Sequence, residues 1–262
     1  MQDVIAPVEA VRGLSVTTLG RKAVLETLMR WIDERAPSRY FACVNAHSAE
    51  VAHRDRSFMA ALERSAMLVP DGASVTLVSR LMGGAIHERV TGPDIFFDLS
   101  QRLDAAGGRS VYYVGGSDGL LNELSRRHRE LYPNLRIAGL HAPPFQREFT
   151  PEQVADVCAR INAVRPDVVW VGLGAPKQEK WAQLAVSLLD APLVGPIGAV
   201  FGFLGGTERM PPNWVLEAGL GWLYRLGQNP RRMWKRNVDT PLFLWRAILE
   251  RLVGIARASA DG

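Results

Sequence analysis

The chain has 262 residues, of which 47% are hydrophobic and 22% charged, and its formal net charge at pH 7 is +4. These proportions are those of an ordinary globular protein, and the length allows one large or two small domains. No uninterrupted apolar run reaches the roughly eighteen residues of a membrane-spanning helix, and the N-terminus lacks a signal-peptide pattern. The two cysteines, Cys43 and Cys158, lie far apart without metal-ligand spacing. We therefore expect a cytoplasmic protein without structural zinc.

The positive charge is concentrated near the C-terminus. Residues 209–257 contain nine Arg and Lys against three acids, a surplus of six, so the rest of the chain carries −2. This asymmetry predicts an anionic partner for the C-terminal part of the chain.

Along the chain, residues 14–35 predict a short strand and an amphipathic helix, and strands then alternate with helices up to residue 195. The predicted strands cover residues 40–44, 67–69, 110–114, 136–140, 167–171 and 192–194. The predicted helices cover residues 57–67, 72–81, 95–106, 118–131, 151–164 and 177–189. A polar loop is expected from Asn45. Such alternation predicts an α/β fold with an open, mostly parallel, Rossmann-like sheet and helices on both faces.

The sequence changes character after this alternation. The glycine-rich apolar segment 195–206 favours close approach of the backbone to a site over a plain helix. We predict a catalytic domain over residues 1–206 and a C-terminal helical, basic and amphipathic appendage over residues 207–262. Its Trp, Leu and Tyr residues beside Arg and Lys are typical of a helix at a membrane surface. The alternative is a C-terminal helix docked on the core with a solvated basic face.

Three strand ends carry open turns that contain glycine. In VGLGAPKQEK a buried strand breaks at Gly172 and Gly174, and Gln178 falls in the first turn of the next helix. The segments VYYVGGSDG and AMLVPDGAS repeat the construction. Turns of this kind at the carboxyl ends of parallel strands bind nucleotides. None is a full GxGxxG motif followed by an acid, which favours a mononucleotide-type ligand over NAD and disfavours an oxidoreductase.

A few polar residues at these ends could carry chemistry. Asp71 follows an apolar strand, where it could act as a general base or merely cap the next helix. Arg89 and Thr91 could hold a phosphate or lie on an ordinary surface loop, and Asn45 could orient a sugar hydroxyl or cap a turn. No His, Cys or acidic pattern predicts a metal site, and GxSxG and GxxxxGK[ST] are absent.

Taken together, the motifs resemble the WecG/TagA/CpsF family of glycosyltransferases (glycosyltransferase family 26) from about residue 12 to 236. The segments that carry the resemblance are VNAHSAEV, LVPDGASV, ERVTGPD, VYYVGGSDG, VGLGAPKQEKW, GAVFGFLGG and NWVLEAGLGWLYRLGQNPRR. The resemblance implies inverting transfer of a sugar from a UDP-sugar to a polyprenyl-diphosphate-linked sugar, without an essential metal or other cofactor. It places the enzyme peripherally on the inner face of the cytoplasmic membrane.

The resemblance also implies roles for individual residues. Asp71 would be the general base, Arg89 would neutralise the leaving diphosphate, and Gln178 would join them in the catalytic set. Substrate binding would involve Cys43, Asn45, Thr91, Gly115, Gly116, Gly174 and Lys177. Arg225, Arg231 and Arg232 would bind the acceptor diphosphate and contact the membrane.

The chain departs from the family pattern at two positions. Cys43 stands where threonine is common, and Gly202 stands where many members have aspartate. The donor sugar therefore stays open between UDP-glucose and UDP-N-acetylmannosamine types, and so does the polymer, whether exopolysaccharide, teichoic acid or antigen. We expect an anionic membrane surface as a partner, self-association through apolar faces of the core, and no nucleic acid. A non-catalytic UDP-binding regulator or scaffold is the alternative.

Overall fold

The structure is a computed structural model that describes residues 6–35, 37–212, 215, 221–228, 230 and 239–250. Its strands are β1 (Val8–Val11), β2 (Leu14–Thr17), β3 (Arg39–Val44), β4 (Met67–Pro70), β5 (Ser110–Gly115), β6 (Arg136–His141), β7 (Val168–Gly172) and β8 (Leu193–Pro196). Its helices are α1 (Arg21–Glu34), α2 (Ala46–Ala52), α3 (Arg56–Glu63), α4 (Ala73–Leu81), α5 (Gly92–Ala106), α6 (Asp118–Leu131), α7 (Pro151–Val164), α8 (Lys177–Ala185), α9 (Gly198–Leu204) and α10 (Gly221–Gln228). Residues 239–250 form a further helical stretch, the C-terminal helix.

Six strands form one parallel sheet in the order β4-β3-β8-β7-β5-β6. The central strands are apolar along their whole length because both faces of the sheet are covered. Alternate residues of β7 enter different apolar clusters, Val168 and Trp170 on one face and Val169 and Val171 on the other. The predicted α/β class is confirmed.

The connections that leave β3 and β5 run to opposite edges of the sheet, to β4 and to β6. All six strands are parallel, so the turns that follow them gather at one edge, the carboxyl edge. This edge carries the residues that the sequence singled out.

A small antiparallel hairpin, β1–β2, lies beside the main sheet, with Val8 opposite Thr17. Its turn uses positive φ at Arg12 (53°) and Gly13 (78°). The hairpin shares an apolar cluster with α2, α3, α4 and the C-terminal helix, whose Phe243 is 0% exposed. Part of the segment predicted as an appendage therefore packs into the core.

Several local predictions were wrong. Helix α3 ends at Glu63, four residues before the predicted end at residue 67. Residues 198–204 are helical, because Val200, Phe201, Phe203 and Leu204 are buried against neighbouring elements while the glycines of this helix allow close packing. The polar loop expected after Asn45 is instead the short helix α2. Helix α8 ends at Ala185, four residues earlier than predicted.

Candidate functional site

The ends of β3 and β4 bring Asn45 and Asp71 together. The two strands pair in parallel register up to Val44 and Pro70, so the residues that follow lie side by side. Asn45 Nδ2 donates to Asp71 Oδ2 at 3.4 Å, and the Asp71 amide donates to the Val44 carbonyl at 2.8 Å. Both residues are partly exposed at the carboxyl edge. Asp71 is thus fixed in position and still reaches solvent.

The N-cap position of helix α4 is Gly72, so Asp71 stands one residue before the cap. Gly72 has φ +150°, and a Cβ there would lie 3.3 Å from Asn45 Cβ, so glycine suits both the turn and the contact. The N-cap residue itself is therefore glycine and not Asp71.

The loop that carries Arg89 and Thr91 is tied to the same strand end. The Val90 amide donates to the Pro70 carbonyl at 2.9 Å, which places Arg89 beside the residue that precedes Asp71. Arg89 is partly exposed. Thr91 caps α5, and its hydroxyl donates to Asp94 Oδ2 at 2.7 Å. The Thr91 hydroxyl therefore serves the helix, whereas Arg89 remains at the edge.

Cys43 is the penultimate residue of β3, two residues before Asn45. Burial raises the pKa of its thiol well above the usual range, and the nearby carboxylates of Asp71, Glu179 and Asp94 raise it further. A Cβ added at Gly92 would lie 3.5 Å from the Cys43 sulfur. The thiol is therefore neutral at physiological pH and packed at the floor of the site, where a weakly polar contact is the most it offers.

Glycines let the ends of β5 and β7 approach each other closely. Gly115 and Gly116 have φ of +127° and +75°. A Cβ on Gly115 would come within 2.6 Å of the Gly172 backbone, so a side chain is excluded there. Gly174 has φ +78° and open space where its side chain would be. Glycine at these turns lets the backbone itself come close to a bound phosphate or sugar.

Gln178 fastens the ends of β7 and β8 to each other. It is 7% exposed. Its Oε1 accepts the amides of Gly174 at 3.1 Å and Gly198 at 3.0 Å. Its Nε2 donates to Glu179 Oε1 at 2.9 Å and to the Pro196 carbonyl at 3.3 Å. These bonds use the full hydrogen-bonding capacity of the amide, so Gln178 acts on the site by holding its backbone.

Lys177 links the site to the loop between β6 and α7. Its ammonium donates to the Gln146 carbonyl at 3.1 Å and lies 4.8 Å from the ring centroid of Phe145, which is 94% exposed. Lys180, one turn further along α8, pairs with Asp55 at 2.7 Å. The first turn of α8 thus holds a neighbouring loop as well as facing the edge.

Two acidic residues near the site, Glu179 and Asp94, were not predicted from the sequence. Glu179 is 2% exposed and contacts Gln178, although a Glu in the first turn of a helix is usually solvated. Asp94 binds Thr91 and lies near Cys43. Only its position three residues after a threonine, a capping-box spacing, could have signalled Asp94.

The side chains of the three predicted C-terminal arginines lie outside the described residues. Arg225 belongs to α10, but its side chain lies outside the described residues, as do Arg231 and Arg232 entirely. At the other departure from the family pattern, a Cβ on Gly202 would lie 3.2 Å from the side chain of Glu208. Glu208 therefore occupies the space beside a position where many members have aspartate.

Within the described parts of the chain, no group of three or more His, Cys, Asp or Glu residues is placed to hold a metal ion. In the same residues, no helix is both long and apolar enough to cross a membrane.

An open parallel sheet with glycine turns, a fixed carboxylate and an arginine loop at its carboxyl edge is the arrangement of nucleotide-dependent α/β enzymes. Sequence comparison narrows this class, because residues 9–257 match the Glycosyl transferase WecG/TagA/CpsF family. The chain belongs to this family and is a glycosyltransferase.

Similar proteins of known name include two from Bacillus, each called N-acetylglucosaminyldiphosphoundecaprenol N-acetyl-beta-D-mannosaminyltransferase. The protein from Bacillus subtilis (strain 168) is 31% identical over 220 residues, which cover 84% of this chain and 82% of the relative. The one from Bacillus spizizenii is 28% identical over 193 residues, covering 74% and 72%. A protein of the same name from Staphylococcus aureus (strain MW2) is 19% identical over 207 residues, covering 79% and 78%.

Proposed function

We propose that this glycosyltransferase moves a sugar from a UDP-sugar to a polyprenyl-diphosphate-linked sugar, with inversion at the anomeric carbon. The observation that carries the proposal is the Asp71 carboxylate, which lies at the carboxyl edge with Asn45 Nδ2 at 3.4 Å from its Oδ2. The names of the relatives support an acceptor linked to a polyprenyl diphosphate.

In the proposed reaction, Asp71 removes the proton from an acceptor hydroxyl as that oxygen attacks the anomeric carbon. The bond between this carbon and the UDP oxygen breaks on the opposite face, and UDP leaves with the electron pair. Arg89, beside the same strand end, stabilises the negative charge that develops on the diphosphate. The proton ends on Asp71 and is released to solvent after the product leaves.

The glycine turns at Gly115, Gly116 and Gly174 would receive the UDP moiety, because their backbone is open and close to the edge. Gln178 would hold the end of β7, which forms part of this surface, to the end of β8. Lys177 would add positive charge to it. We propose that transfer proceeds without a bound metal, which predicts unchanged turnover in EDTA.

The donor is proposed to be of the UDP-glucose or UDP-N-acetylmannosamine type. The relatives are mannosaminyltransferases by name. Cys43 and Gly202 are the positions at which this chain departs from the family pattern, and a neutral thiol in place of a hydroxyl weakens any hydrogen bond made there. The polymer would be an exopolysaccharide, a teichoic acid or a related surface antigen.

We also propose that the enzyme works at an anionic membrane surface on the cytoplasmic side. The outer face of the C-terminal helix exposes Trp245 (61%), Ile248 (44%) and Leu249 (40%). The surplus of positive charge lies in the same part of the chain. Apolar side chains beside cations suit the headgroup region of such a surface.

The test is transfer of radiolabelled sugar from a panel of UDP-sugars to short-chain polyprenyl-diphosphate sugars. The proposal predicts acceptor-dependent transfer from one donor and inversion of its anomeric configuration. UDP binding without transfer from any donor would favour the alternative, a UDP-binding regulator. Retention of configuration would exclude the single displacement described above.

A further inference from the structure

The C-terminal helix is joined to α2 by a set of charged residues that the proposed reaction does not use. On α2 and just after it, these are His47, Glu50 and Arg54. On the C-terminal helix they are Asp239, Arg246 and Glu250, and the turn of the β1–β2 hairpin adds Arg12. We call this set the α2 latch.

Two carboxylates are the centres of the α2 latch. Asp239 accepts from His47 Nδ1 at 2.7 Å and from Arg54 at 3.1 Å. Glu50, whose side chain is 0% exposed, accepts from Arg246 at 2.5 Å and lies 3.6 Å from Arg12. Arg12 also pairs with Glu250. Because the Glu50 side chain is fully buried, removing one of these partners would destabilise the contact between α2 and the C-terminal helix.

Apolar packing supports the same contact. Phe243 and Ala247 of the C-terminal helix are 0% and 2% exposed, and they share a cluster with Ala46 and Ala49 of α2. The helix therefore meets α2 through both a buried apolar face and paired charges.

Helix α2 begins at the candidate site. Asn45 is its N-cap and accepts the Ser48 amide at 3.0 Å, while the Ser48 hydroxyl pairs with the Asn45 amide at 2.8 Å. The same Asn45 side chain donates to Asp71. A shift of α2 would therefore move the Asn45 side chain, whose Nδ2 donates to the Asp71 carboxylate.

We infer that the C-terminal helix is a positioning element of the active site: Asp239 and Arg246, acting through His47 and Glu50, hold α2 so that Asn45 stays opposite Asp71. In this scheme none of the residues Asp239, Arg246, His47 and Glu50 contacts the reacting atoms. The inference rests on the proposed function for its activity readout, because it assigns Asn45 and Asp71 to that reaction.

The central experiment is a double-mutant cycle on the full-length chain. Asp239→Asn should lower the turnover number roughly three- to thirtyfold, which lies within the range of coupling seen in one hydrogen-bonded network. In an Asn45→Ala background the same change should cost less than about twofold, because the residue it acts through is gone. Equal losses in both backgrounds would overturn the inference.

Conservative variants separate positioning from loss of folding. His47→Asn keeps an N–H donor near the position of Nδ1 and should retain near-normal turnover, whereas His47→Ala should resemble Asp239→Asn. Arg126→Met is the matched control, since it breaks exposed ion pairs to Glu123 and Glu130 on α6, away from α2. A similar loss of turnover in Arg126→Met would mean that any broken ion pair has this effect.

Hydrogen exchange gives a readout that does not depend on activity. The amides of Ala46–Ala52 should exchange faster in Asp239→Asn than in the wild type, and those of α6 should not. Unchanged exchange in α2 would overturn the inference. If the wild type transfers no sugar from any donor, the proposed function fails, while this comparison still decides whether the latch holds α2.

Discussion

The interpretation of Gln178 makes a strong prediction, because its buried amide fastens two strand ends. Gln178→Ala leaves the amides of Gly174 and Gly198 without the oxygen that accepts them at 3.1 and 3.0 Å. Each buried donor left unsatisfied costs about 1–3 kcal/mol, so we expect a loss of roughly 2–6 kcal/mol in the free energy of unfolding. A residue that acted only on the substrate would show no such loss.

Urea denaturation of the purified chain measures this free energy, with equal m-values showing that the two states are comparable. Gln183→Ala is the matched control, since Gln183 is on the same helix and only partly buried. It should change stability by less than about 0.5 kcal/mol. A Gln178→Ala protein as stable as the wild type but inactive would refute the fastening role and favour direct contact with the substrate.

Three further predictions concern pH, packing and membrane binding. Burial lowers the pKa of His128 in the folded chain, so the unfolded chain is protonated first as the pH falls. The contribution of His128 to the free energy of unfolding should therefore be fully present above pH ~6.5 and be lost below it. Denaturation at pH 7.5 and 5.5 should show this fall in the wild type and a smaller one in His128→Gln. Gly115→Ala should destabilise the fold by about 3 kcal/mol or more, because its Cβ would meet the Gly172 backbone at 2.6 Å, whereas Gly119→Ala, with open space, should not. Trp245→Ser should weaken sedimentation with anionic vesicles about tenfold without unfolding the chain, and salt should weaken binding of the wild type; equal binding by both proteins would exclude the C-terminal helix as the anchor.

The buried strands could be predicted from the sequence because their signal is local. The predicted ranges 40–44 and 110–114 differ by one residue from β3 and β5, since continuous apolar runs end at polar or glycine residues. Helix α9 was missed for the opposite reason. Its glycines resemble a loop locally, and only packing against neighbouring elements makes the segment helical.

The candidate site divides in the same way. The positions of Asp71 and Asn45 at adjacent strand ends follow from the alternating pattern. Their 3.4 Å contact, by contrast, depends on the pairing of strands separated by more than twenty residues. Gln178 bonds Gly198, 20 residues away, and Glu50 bonds Arg246, 196 residues away, and no local pattern specifies these neighbours. Tertiary contacts of this kind decide whether a polar residue touches the substrate or holds the backbone.

The measurement that tests the central claim most directly compares Asp71→Asn with the wild type, in sugar transfer and in UDP affinity. Asparagine keeps the size and the contact with Asn45 but cannot take a proton at neutral pH. The account predicts a loss of turnover of about a hundredfold or more with UDP affinity within about threefold of the wild type. Near-normal transfer by Asp71→Asn would show that another group is the base and would contradict the account.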